Sequence, residues 1–276
     1  MAAVASDLPI GVFDSGVGGL TVLRALRRRL PAESLIYLGD TARLPYGTKS
    51  EASIIRYALQ ATDHLVSRGV KMLVVACNTA SAVSLGPLHD RFAPLPVIGV
   101  VEPGAEAAVA ATRNQHLLVL ATESTVKRHA YAQAIRRLTP GAQVDEKACS
   151  LFVALAEEGW TEGPVPESIA RTYLEPLLNP ALGDAPDTIV LGCTHFPLLE
   201  GAIRAALGPH ATIVDSATTT AEAVAATLTA RDLATSRTGS GTITLLATDG
   251  PDRFAAVGGR FLGEPISASS VEVVDL

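Results

Sequence analysis

The stretches VVACNT and VLGCTH each close a short apolar run on a cysteine, and the two cysteines, Cys77 and Cys193, lie 116 residues apart. Just downstream, PVIGVVEP and ATIVDSAT each pair a short apolar run with a helix start, and Ile98 and Ile213 are 115 residues apart. Upstream, GVFDSG and LVLATES both open from an apolar run into a small polar turn, with Asp14 and Thr122 separated by 108 residues. A chain that repeats run, turn and helix at a near-constant offset is expected to fold as two similar halves. Apolar runs alternate with helical segments almost from end to end, which predicts largely parallel sheets covered by helices.

The fold class expected is therefore α/β, with two pseudo-symmetric domains: residues 1–99 plus 215–276, and residues 100–214. Candidate strands are 10–13, 35–38, 72–76, 97–101, 117–121, 188–191, 212–214 and 242–247, with helices over 50–68, 125–138 and 217–230. The loops NPALGDAPD and ATSRTGSG read as surface connections. The 276 residues suffice for two medium cores, and 48% hydrophobic against 18% charged residues excludes a disordered chain. A net charge of −6 speaks against a nucleic-acid partner. The one basic cluster, RALRRR, reads as a solvated helix C-terminus, where cations are favoured. No stretch approaches the roughly 18 apolar residues of a membrane span, and the first nine residues lack a leader's basic and apolar regions. Three cysteines without a C-x-x-C pair fit a reducing compartment, so a cytoplasmic location is expected.

The stretch IGVFDSGVGGLTVLRAL looks like a dinucleotide-binding turn, but Thr21 stands where the third glycine of G-x-G-x-x-G would fall. What it offers is Asp14 and Ser15 at the carboxyl end of a strand, beside backbone N–H groups able to hold a carboxylate. Cys77 and Cys193 each end a strand, each precede a helix start, and each are followed by polar groups: Asn78 and Thr79, then Thr194 and His195. Cys149, in KACSLF, lacks such followers and reads as packing. A zinc site would need more converging ligands, so no metal is expected. A cysteine hydrolase could use GCTHF but would leave Cys77 idle. Two thiols on opposite walls of a cleft between the halves suit proton removal from one face of a carbon and return to the other.

FDSGVGGLTV, GDTARLPYGTKS, ACNTASA, LFVALAEEG and GCTHFPLL together resemble the glutamate racemase family, in that family's order across nearly the whole chain. The resemblance implies interconversion of L- and D-glutamate without a cofactor, in service of peptidoglycan synthesis. It implies Cys77 as the base toward D-glutamate and Cys193 as the base toward L-glutamate, with Asp14 and His195 as auxiliary acid/base groups. By the same likeness, Asp14, Ser15, Tyr46, Gly47, Asn78, Thr79, Thr194 and His195 match substrate-binding positions, and Glu157 a further acidic one. ATEST carries Ala121 where the family's loop has glycine, leaving Thr122 and Thr125 for contacts. A homodimer is expected. An aspartate or hydantoin racemase shares the two thiols, and a non-enzymatic amino-acid-binding module would use only the carboxylate cradle.

Overall fold

The computed structural model describes residues 5–178, 185–208 and 211–276, so most of the NPALGDAPD loop lies outside the described residues. The chain divides into two compact units: Met1–Val100 with Ala217–Leu276, and Val101–Ser216.

In the first unit the strands are β1 Ile10–Asp14, β2 Leu35–Gly39, β3 Met72–Val75, β4 Val97–Gly99, β9 Ile243–Ala247 and β10 Val271–Val273. They form one all-parallel sheet in the order β10-β9-β2-β1-β3-β4. Its helices are α1 Leu20–Arg29, α2 Glu51–Ser67, α3 Asn78–Phe92, α10 Ser216–Ala230, which starts at the unit boundary, and α11 Pro251–Leu262. Every residue of β1 and β3 is buried, as expected of central parallel strands covered on both faces. Phe13, Leu38, Leu73, Val75 and Cys77 share one core with Ile54, Ala58 and Leu65 of α2. Arg27, Arg28 and Arg29 occupy the last turn of α1, and half-exposed pairs join Arg27 to Glu264 and Arg29 to Glu222. The ATSRTGSG connection is tied down by Arg237, which donates to Ser34 Oγ at 2.9 Å and to the Asp7 carbonyl at 2.9 Å.

The second unit carries β5 His116–Ala121, β6 Gln143–Ala148, β7 Thr188–Gly192 and β8 Thr212–Asp215, all parallel in the order β6-β5-β7-β8. Its helices are α4 Val101–Ala111, α5 Glu123–Lys127, α6 Ala130–Leu138, α7 Ser150–Glu158, α8 Pro164–Leu174 and α9 Glu200–Leu207. The order β6-β5-β7-β8 repeats β2-β1-β3-β4 element for element, so the internal repeat of the sequence is a repeat of topology. Among the described residues no helix is long and apolar enough to cross a membrane.

Four elements differ from the sequence reading. β6 and β10 are edge strands; QVDEKA puts Asp145, Glu146 and Lys147 on such an edge, where charge discourages further pairing and no apolar run betrays the strand. The helix expected over 125–138 is two helices, separated at His129, whose backbone is left-handed (φ 52°). Its ring bonds Glu146 of β6 at 2.5 Å, anchoring the break to the sheet. The run 97–101 ends as a strand at Gly99, because Val101 already begins α4.

Candidate active site

In the first unit the site residues lie at the carboxyl ends of β1 and β3. β1 pairs with β3 through Phe13 and Val75, which sets Asp14 one residue and Cys77 two residues past that pair. Gly19 lets α1 begin directly over them: a Cβ there would stand 2.5 Å from Asp14 Cβ and 3.0 Å from Ala76 Cβ. Asp14 is buried, and its Oδ2 accepts the Gly16 N–H at 2.9 Å, closing the turn that follows β1. Cys77 is the N-cap of α3; its Sγ accepts the Ala80 N–H at 3.4 Å and lies 3.5 Å from Ser15 Oγ. Asn78 and Thr79, both buried, form the first turn of α3. A thiolate at Cys77 therefore faces the positive end of a fifteen-residue helix.

Tyr46 and Gly47 belong to a 3-10 turn, Tyr46–Thr48. The Tyr46 ring lies in the core beside Phe13, and its hydroxyl donates to Asp40 Oδ2 at 2.5 Å. The same carboxylate accepts Arg43 Nε at 2.7 Å and Thr248 Oγ1 at 3.0 Å. Burial first, and the Asp40 charge second, push the Tyr46 phenol well above its ordinary value. The turn is thus held from beneath by Asp40, a residue the sequence reading passed over although it sits in the quoted GDTARLPYGTKS motif.

In the second unit Cys193 follows β7 but does not open an α-helix as Cys77 does. Cys193 is succeeded by a 3-10 turn, Phe196–Leu199, with Pro197 inside it; α9 begins only at Glu200. What Cys193 has instead is an imidazole: its Sγ lies 3.8 Å from His195 Nδ1, and His195 Nε2 lies 3.2 Å from Glu157 Oε1 on α7. Thr194 Oγ1 is 3.4 Å from the same Nδ1. Thr122 holds the N-cap position of α5, with its Oγ1 3.2 Å from Thr125 Oγ1.

Register corrects one correspondence. β5 pairs with β7 through Leu120 and Leu191, two residues before Cys193, as Phe13 and Val75 precede Cys77. The counterpart of Asp14 is therefore Ala121, and Thr122 is the counterpart of Ser15. The end of β5 thus carries Ala121 where β1 carries Asp14; beside Cys193 the ionisable groups are His195 and Glu157.

Cys149 is fully buried, with Sγ 3.7 Å from the Lys147 carbonyl. Burial pushes its thiol up to about 12, with Lys147 opposing. At pH 8 only about one part in ten thousand is then thiolate. Iodoacetamide at pH 8 should leave Cys149 unmodified in the folded protein while Cys77 and Cys193 react, and peptide mass mapping checks this; carboxamidomethyl-Cys149 before unfolding would contradict it.

The sequence matches the Asp/Glu/Hydantoin racemase family over residues 10–224. The chain belongs to that family. Membership makes it a racemase, an isomerase that inverts a stereocentre, and the resemblance read from the five motifs holds. A glutamate racemase of Geobacter metallireducens is 49% identical over 254 residues, 92% of each chain. The crystal structure of glutamate racemase from Thermus thermophilus in complex with beta-chloro-D-alanine matches with a TM-score of 0.86 and 44% identity over 98% of each chain. That from Francisella tularensis in complex with D-glutamate matches with a TM-score of 0.88 and 33% identity, again over 98% of each chain.

Proposed function

We propose that this racemase interconverts L- and D-glutamate by a two-thiol proton transfer at Cα, without cofactor or metal, and that its D-glutamate serves peptidoglycan synthesis in the cytoplasm. The observation that carries the two-thiol reading is the repeat itself: each sheet places a cysteine two residues beyond the same paired position of its two central strands. Glutamate as substrate is supported by the names of the relatives and by the D-glutamate complex of the Francisella protein.

In this reading Cys77 takes the proton from D-glutamate and Cys193 takes it from L-glutamate, each returning a proton in the opposite direction. A free cysteine has a pKa near 8.5, so about a tenth is thiolate at pH 7.5. A helix N-terminus contributes roughly 0.3 to 1 kcal/mol, less than one pKa unit. Each thiol therefore needs an accepting neighbour. Asp14 serves Cys77, and His195, oriented by Glu157, serves Cys193. Ser15, Asn78, Thr79, Thr122 and Thr194 bind the substrate's carboxylates and ammonium, with Tyr46 and Gly47 contributing the main chain of their turn. The enzyme works as a homodimer.

The test is incubation of chelator-treated protein with L-glutamate and with L-aspartate in D2O, following optical rotation and Cα deuterium. Glutamate should racemise with deuterium uptake, and aspartate more slowly; one methylene alone is worth about 10- to 200-fold. Equal kcat/KM for the two would reject the glutamate assignment. Activity lost to the chelator and restored by zinc would reject the two-thiol mechanism.

A further inference from the structure

We propose that Tyr37 is a positioning residue for the Cys77 half of the reaction, its hydroxyl fixing the turn at Ser15 and Gly16 that aims the Asp14 carboxylate; this rests on the two-thiol reading above. Tyr37 lies in the middle of β2 and is wholly buried, its ring tilted against Phe254 at 6.1 Å. Its hydroxyl donates to the Gly16 carbonyl at 2.8 Å. The N–H of the same glycine donates to Asp14 Oδ2 at 2.9 Å. Gly16 is thus held by its carbonyl from β2 and by its N–H from Asp14, while the intervening Ser15 carries the hydroxyl that meets Cys77 Sγ.

A second feature of β2 shapes the same carbonyl. A Cβ on Gly39 would stand 2.3 Å from Gly16 O and 3.0 Å from the Phe254 ring, so only glycine lets that oxygen settle between β2 and the Tyr37 hydroxyl. A buried phenol without a partner is costly, and phenylalanine would fill the same space at no such cost. The hydroxyl has two partners here, the Gly16 carbonyl and the Asp14 carboxylate itself, so it holds both the turn and the group that the turn aims. It also remains a donor: burial foremost, then the negative charges of Asp14 and Cys77, hold the phenol well above its usual range. At the equivalent register positions the second unit carries Glu146 for Tyr37 and Ala121 for Asp14.

The experiment compares wild type with Tyr37→Phe, using D- and L-glutamate carrying deuterium at Cα. Loss of the hydroxyl should lower kcat/KM on the order of tenfold to a hundredfold, the scale of a misplaced catalytic group. The decisive readout is asymmetric. If the Cys77 transfer is slowed selectively, cleavage of the D-glutamate Cα bond becomes more rate-limiting and its isotope effect rises, while that on L-glutamate falls toward unity. Thr62→Val removes another buried hydroxyl, bonded to the Ala58 carbonyl at 2.6 Å on α2, and should keep wild-type isotope effects. Gly39→Ala, which displaces the same Gly16 carbonyl while keeping the phenol, should reproduce the asymmetry and replaces Tyr37→Phe if that variant does not fold. Isotope effects that stay unchanged, or move together for both enantiomers, overturn the positioning role. A wild-type protein that does not racemise glutamate overturns the underlying function instead, and the inference with it.

Discussion

Replacing either Cys77 or Cys193 by alanine should reduce glutamate racemisation on the order of a thousandfold or more, because under the proposed two-thiol mechanism each removes the acid or base that one face of Cα requires. The two variants should nonetheless differ in what they still do. Cys193→Ala keeps Cys77, which under that mechanism should still remove the proton of D-glutamate and, after exchange with solvent, return deuterium to the same face. Cys77→Ala keeps Cys193, which does the same for L-glutamate. Mass spectrometry of each enantiomer in D2O should find label in D-glutamate for the first variant and in L-glutamate for the second, with configuration retained. Racemisation at the wild-type rate in either variant, or label in the same enantiomer for both, would sink the two-thiol mechanism. Cys149→Ala is the control: its thiol is buried and bonded to a backbone carbonyl, so it should change stability more than turnover.

Much of the fold was legible because central parallel strands are buried on both faces and so spell out apolar runs. Ile10–Asp14, Met72–Val75 and Thr188–Gly192 are of this kind. QVDEKA was not legible, since an edge strand protects itself with charge and so loses the very pattern that identifies a strand. The break at His129 coincides with a bond to Glu146 of β6 that local periodicity does not encode. The candidate site divides in the same way. The thiols and their polar followers are contiguous in sequence, so ACNT and GCTH announce them. The nature of each thiol's support is not contiguous. Pro197 lies inside a 3-10 turn where a helix was expected, and the group that meets His195 comes from α7, 38 residues away. Tyr37, in LIYLG, is indistinguishable from a core residue until its hydroxyl is seen on Gly16.

The unlike support of the two thiols leads to the second large effect. Asp14→Asn keeps an oxygen to accept the Gly16 N–H and so preserves the turn, but it removes the carboxylate proposed to take a proton from Cys77. His195→Asn likewise keeps a polar side chain of similar reach while removing the imidazole beside Cys193. General acid–base assistance is typically worth 10²- to 10⁴-fold, or about 3 to 5 kcal/mol of barrier at roughly 1.4 kcal/mol per decade. Losses of that size in kcat are expected for both, with the D-glutamate isotope effect raised in Asp14→Asn and the L-glutamate isotope effect raised in His195→Asn. Glu157→Gln should cost only about tenfold, because glutamine still accepts a hydrogen bond from His195 Nε2 and loses only the charge that favours imidazolium. The order matters as much as the sizes: if Glu157→Gln were as damaging as His195→Asn, Glu157 would be handling the proton itself rather than orienting the ring. If His195→Asn raised the isotope effect on D-glutamate instead, the imidazole would be serving Cys77, and the assignment of one helper to each thiol would fall.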